Sequence, residues 1–285
     1  MDYLMCSQVP LIEGVIAPIV TPVTTGGGVD FAGLVQLAQW LVSRGVHGIF
    51  VAGTTGRFSD FSPKQNADIC RAIVEAVGDS ITVYAGICDS GVHRMLANAD
   101  GMKKAGADIV VTTGPYYLSR LIEEAEADLL TVAEESPLPV IYYNIPEFVG
   151  YGLRPEWIEE MADHPNVVGY KDSSADLAHH LEVLARTKEK RFSVLIGKEM
   201  LLADAFRAGA KGLVVSLVQV NPDPFVSLAR NARLGDWTAV DKNQSQVKEI
   251  VEAFLTRFKE RPVFSTLLQY LESELLRHGM DIRLL

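Results

Sequence analysis

The sequence predicts an α/β fold, a closed (β/α)8 TIM barrel with a C-terminal helical extension. Three observations predict it. Short apolar runs alternate with amphipathic segments almost without interruption, eight such runs can be counted, and after Asn221 the alternation gives way to helical patterns alone. Eight βα units in about 230 residues favour closure into a barrel over an open sheet.

The runs are "VIAPIV" (15–20), "HGIFVA" (47–52), "ITVYAG" (81–86), "DIVVTT" (108–113), "PVIYYN" (139–144), "NVVGYK" (166–171), "FSVLIG" (192–197) and "KGLVVS" (211–216). Each carries about four to six apolar residues, the length of a parallel strand buried on both faces. Leu34, Leu37, Ala38 and Leu41 share one face of a helix near 30–44, which follows the first strand. After the second, Ile69, Ala72, Ile73 and Ala76 do the same near 63–77. That helix opens at "SPKQ" (62–65), with serine as cap and proline at the first helical position. "RPEW" (154–157) places another proline just inside a start, without a good cap before it. "RGVHG", "KAGAD" and "RAGAK" put glycine at helix ends ahead of the next strand. The tail reads as three helices, "FVSLARNARLGDW", "QVKEIVEAFLTRF" and "VFSTLLQYLESELLRHG". Residues 1–221 are therefore expected to carry the barrel, and 222–285 its last helix and a helical extension of the same unit. "TTGGG" (24–28) is too short for a linker and reads as a turn.

Composition narrows the function classes. Hydrophobic residues make up 48%, enough for a sizeable core. A formal charge of −10 with no basic block repels polyanions on average, so nucleic acid is not an expected partner. A small anionic substrate stays open, because a local positive cluster can hold one. No apolar run reaches the roughly 18 residues that span a bilayer. "MDYLMCSQVPLIEG" lacks the basic-then-apolar order of a secretion signal. Cys6, Cys70 and Cys88 form no CxxC pair, which fits a cytoplasmic protein using them as small core hydrophobes. His47, His93, His164, His179, His180 and His278 show no HxH or HxxxH pairing at strand ends, so no metal or other cofactor is expected. Neither GxSxG nor GxxxxGK occurs.

Barrels of this kind do their chemistry where the strands end. Those ends include "GTTGR" (53–57), "GICDS" (86–90), "TGPYY" (113–117), "YNIP" (143–146), "KDSS" (171–174) and "GKEM" (197–200). A lysine closing the apolar sixth strand is, taken alone, a solvated strand end. Side-chain alternation puts Val167, Gly169 and Lys171 on one face, with Gly169 leaving room for the lysine. On the fifth strand Ile141 and Tyr143 share a face. Tyr143 and Lys171 are one βα unit apart, so they should stand on neighbouring strands about 4.8 Å apart. An apolar cavity disfavours the ammonium form and exposes a lone pair at neutral pH. Such an amine attacks a ketone to form a Schiff base, and a nearby phenol can shuttle the protons. In "GTTGR", Gly53 allows close approach, Thr54 could join a proton relay, and Thr55 with its backbone amide could hold a carboxylate. A plain tight turn is the alternative. Tyr116 and Tyr117 end the fourth strand, where ordinary loop packing is the simpler reading.

"GTTG", "GPYY", "YYNIP" and "GYKDSS", on strands two, four, five and six, make the chain resemble the dihydrodipicolinate synthase/N-acetylneuraminate lyase family. The resemblance runs from "APIVTP" (17–22) through the helical C-terminus. It implies a barrel, a homotetramer built as a dimer of dimers, acting on pyruvate or another 2-oxo acid together with an aldehyde. Lys171 would form the imine, Tyr143 would shuttle protons, and Thr55 would bind the carboxylate. Thr54 would link Tyr143 to Tyr117, lent across a subunit contact. Gly197 and Val214 match positions lining the pyruvate site. One departure is informative: where the lysine-pathway synthases carry arginine in "YNxPxRTG", this sequence reads "YNIPEFVG", with Phe148 at the arginine position. Losing that carboxylate clamp moves the expectation towards a 2-keto-3-deoxy sugar acid aldolase. Dihydrodipicolinate synthase becomes the alternative, and a non-catalytic 2-oxo acid binding barrel a third. Glu147 and Phe148 would shape the specificity pocket. Arg57 reads as an exposed loop arginine, with contact to a distal carboxylate or hydroxyl as the alternative.

Overall fold

The computed structural model describes residues 11–257 and 263–285; Cys6 and most of the N-terminal stretch read above lie outside them. The eight expected strands are present: β1 (Gly14–Pro18), β2 (Gly48–Val51), β3 (Thr82–Gly86), β4 (Ile109–Thr112), β5 (Val140–Asn144), β6 (Val167–Asp172), β7 (Ser193–Ile196) and β8 (Gly212–Leu213). They pair in parallel, in chain order, and close when β8 returns to β1 through Gly14 opposite Gly212 and Val15 opposite Leu213. Apart from the first residues of β1 and β3, every strand position is buried. Burial on both faces explains why the sequence shows continuous apolar runs and not alternation.

The outer face packs under helices α1 (Phe31–Ser43), α2 (Pro63–Val77), α3 (Val92–Ala105) and α4 (Ile122–Glu135). Next come α5 (Pro146–Val149), α6 (Pro155–Met161), α7 (Leu177–Thr187) and α8 (Leu202–Arg207). Leu34, Leu37 and Leu41 of α1 and Ile69 and Ile73 of α2 are fully or almost fully buried, as their spacing requires. Ser62 and Gln65 form a reciprocal capping box at the start of α2, and Gly106 ends α3 with φ +95°. The interior of the cylinder is a separate cluster that includes Ile16, Phe50, Tyr84, Val111, Ile141 and Leu195.

Strand six departs from simple alternation. Val140 pairs with Val167 but Ile141 pairs with Gly169, so Val168 is an extra residue in the ladder. Val168 therefore packs with the interior cluster while Val167 packs outside, correcting the expected face of Val167. Gly169 also has a different reason from the one expected. A Cβ there would meet the Ser193 carbonyl oxygen at 2.7 Å, so glycine lets β6 and β7 approach. Strand β8 is shorter than its apolar run, because the chain leaves it for a 3-10 turn over Ser216–Gln219.

Helices α9 (Pro222–Leu234), α10 (Trp237–Arg257) and α11 (Val263–Arg277) complete the chain. The segment after α11 is tied to the barrel: Val23 N donates to the Arg283 carbonyl at 2.8 Å, and His278 Nε2 lies 2.7 Å from the Val220 carbonyl. Among the described residues, no helix is long and apolar enough to cross a membrane.

Candidate active site

Tyr143 on β5 and Lys171 on β6 are directly paired across the ladder, and both turn into the barrel. Lys171 is 5% exposed; its Nζ lies 3.7 Å from the centroid of the Tyr143 ring and 5.2 Å from that of Phe50. Burial lowers the Lys171 pKa to about 7; nearby Cys88 and Glu199 pull it back up, and Lys198 pushes it down. Burial drives the Tyr143 phenol the other way, to about 12, with side-chain hydrogen bonds to Ser173 and Thr54 offsetting part of the rise. The two groups are thus a readily deprotonated amine and a phenol that keeps its proton.

The turn after β2 is shaped by close contacts. A Cβ on Gly53 would come within 2.7 Å of the Phe50 ring, and one on Gly86 within 1.9 Å of the Ala52 carbonyl. Ala52 and Arg57 both adopt positive φ, at 51° and 56°. Thr54 is half-buried and faces Tyr143, while Thr55 is buried with Oγ1 2.7 Å from Ser216 Oγ. Gly197 donates its N–H to the Asp172 carbonyl at 2.7 Å, and a Cβ there would strike Ser173 Oγ at 2.1 Å. Val214 is buried in the interior cluster.

Next to Thr54, which hydrogen-bonds Tyr143, lies a cavity of about 380 Å³ lined by Thr54, Arg57, Phe58, Cys88, Tyr116 and Phe148, among others. Arg57 is not the exposed loop arginine expected. Its side chain is 11% exposed, packed over the Phe61 ring and 3.5 Å from Asp60. Phe148 stands at the cavity and is 55% exposed; Glu147 is exposed and does not line it. Tyr117 lies apart from the pair, 91% exposed, and Tyr116 lines the cavity in its place.

Several residues that line the cavity escaped the sequence reading. Cys88 and Thr113, both buried, line the cavity, although "GICDS" and "TGPYY" already marked their strand ends. Phe264 arrives from α11, far along the chain, with no local signal. Behind the pair, on the outer face of the same strands, lies a polar network. Asn144 Nδ2 donates to Asp172 Oδ1 at 3.1 Å, Ser174 N donates to the same oxygen at 3.0 Å, and His180 Nδ1 is 3.2 Å from Asp172 Oδ2. Asp172 and His180 are almost completely buried, and the His180 hydrogen bond helps hold the Asp172 carboxyl below its usual range against burial.

A family model described as the dihydrodipicolinate synthetase family matches residues 11–282. A 4-hydroxy-tetrahydrodipicolinate synthase from Natronomonas pharaonis is 31% identical over 88% of this chain and 85% of its own. One from Streptomyces coelicolor is 31% identical over 84% of this chain and 78% of its own. Among solved structures, dihydrodipicolinate synthase from Bacteroides thetaiotaomicron superposes with a TM-score of 0.88 at 30% identity, covering 96% of this chain and 91% of that one. A likeness of fold extends to an E. coli K12 prophage protein of the dihydrodipicolinic acid synthase family, solved with pyruvate. There the TM-score is 0.89 at 24% identity, over 97% of this chain and 91% of the other.

Proposed function

This chain belongs to the dihydrodipicolinate synthetase family, whose members are class I lyases, and from that premise we propose that it acts on pyruvate or another 2-oxo acid through a Schiff base on Lys171. The observation that carries the reading is a buried amine with a pKa near 7 paired across one ladder rung with a buried, protonated phenol.

The chemistry follows from those states. The neutral Nζ attacks the ketone carbon, and the former carbonyl oxygen leaves as water after taking protons through Tyr143. The imine withdraws electrons, so C3 can lose a proton and, as an enamine carbon, attack an aldehyde. The reverse order cleaves the same bond. Water then hydrolyses the imine and returns the free amine. Thr54 passes protons to and from the Tyr143 oxygen. Thr55, held by Ser216, offers its hydroxyl and backbone N–H to the carboxylate, while Gly197 and Val214 shape the pocket. Phe50 keeps water from the nitrogen.

A second reading, 4-hydroxy-tetrahydrodipicolinate synthase, draws support from the names of the relatives. Phe148 weighs against it, since it offers no charge to a second carboxylate. The sugar acid aldolase expected from the same departure has the apolar cavity lining against it. A binding barrel without chemistry is disfavoured by a complete lysine, tyrosine and threonine set. We also propose a cytoplasmic homotetramer in which Tyr117 serves a neighbouring copy's site. Supporting this are the free buried thiols of Cys70 and Cys88, and the adjacent exposed side chains of Tyr117, Leu118 and Leu121.

Borohydride reduction with pyruvate tests the mechanism. The expected result is a covalent three-carbon adduct on the peptide carrying Lys171; no adduct, or one on Lys198 or Lys211, ends the proposal.

A further inference from the structure

The cavity beside Thr54 takes its polar lining from Thr54, Arg57, Ser59 and Thr113. The rest of the lining is mostly apolar: Phe58, Tyr116, Ile145, Phe148, Val149 and Phe264. Phe58 and Tyr116 meet edge to face, with centroids 6.1 Å apart and planes at 74°. Among the described residues of this lining Arg57 is the one cation, and its guanidinium has partners within the turn. Nη2 donates to the Thr21 carbonyl at 3.3 Å, Nη1 is 3.5 Å from Asp60, and the group lies over the Phe61 ring. Its Nε is buried without a hydrogen-bond partner.

A distal carboxylate or a chain of hydroxyls entering this space would give up water for ring faces and methyl groups. A flat apolar substituent would instead displace water from surfaces that otherwise stay wet, Phe148 above all at 55% exposure. From this lining we infer that the aldehyde partner of the 2-oxo acid carries an apolar, ring-sized substituent.

The inference rests on the Schiff-base reading and names its substrate class. The methyl carbon of pyruvate, as enamine, bonds to the aldehyde carbon. The proton lost from that methyl is balanced by the one gained at the aldehyde oxygen, which becomes a hydroxyl. The water released on forming the imine is taken up again at hydrolysis. The product is a 4-hydroxy-2-oxo acid bearing the apolar group at C4.

The test offers pyruvate with benzaldehyde, aspartate semialdehyde or glyceraldehyde, after borohydride trapping with pyruvate alone. Product mass and kcat/KM for each aldehyde are the readouts. The expected result is successful trapping and a kcat/KM for benzaldehyde at least tenfold above both polar aldehydes. Phe148→Arg should move the ratio of benzaldehyde to aspartate semialdehyde at least tenfold towards the latter. Trapping that succeeds with a polar aldehyde preferred overturns the substrate class and leaves the Schiff base standing. An unchanged ratio in Phe148→Arg also overturns it. Failed trapping removes the mechanism itself.

Discussion

At Lys171 two effects oppose each other. The faces of Tyr143 and Phe50 attract a cation, whereas removal from water penalises it. Burial prevails, which sets the pKa at about 7. Because the reactive form is the deprotonated one, imine formation should rise with pH through a limb near that value and level off above it. Stopped-flow trapping across the pH range would show the limb; a midpoint still near that of free lysine would mean that the nitrogen is solvated. The phenol of Tyr143, at about 12, contributes no limb in the same range. Tyr143→Phe should cut turnover by about a hundredfold or more, the usual scale of a lost acid–base group. Steady-state kinetics alongside pyruvate trapping would separate lost proton transfer from lost binding.

Between elements, the Asn144–Asp172–His180 network straps β5, β6 and α7 together one residue beyond each of the paired side chains. Strand alternation links the two faces: with Asn144 and Asp172 held outward, Tyr143 and Lys171 are held inward. Asp172→Ala would leave buried Asn144 and His180 groups short of partners, at a cost on the order of 3 kcal/mol. A lowered urea midpoint with unchanged slope is the expected outcome. A midpoint matching the parent chain would show that the network does not hold the strands.

For the whole molecule, we propose that residues 222–285 and the barrel form one unit, since the Arg283 carbonyl caps the chain after β1 and Phe264 reaches the cavity. The assembly is the larger question. Tyr117 stands at positive φ with 91% of its surface exposed. Sedimentation should give four times the chain mass. Tyr117→Phe should lower turnover while leaving that mass unchanged. A monomer with full activity would remove both the tetramer and the role of Tyr117.

The barrel was legible because each strand is buried on both faces and each helix on one, so composition along a dozen residues reports the element. The Tyr143–Lys171 pairing was legible for a related reason: successive parallel strands repeat their register at each βα unit. Where one extra residue entered, at Val168, alternation misassigned Val167, since a bulge leaves no mark in an all-apolar run. Arg57 looked exposed because exposure depends on what the turn folds against, here Phe61 and Asp60. The apolar walls of the cavity, closed by Phe264 from the far end of the chain, came from packing alone. Local periodicity records which way a side chain faces; only closure of the barrel decides which distant side chains it meets.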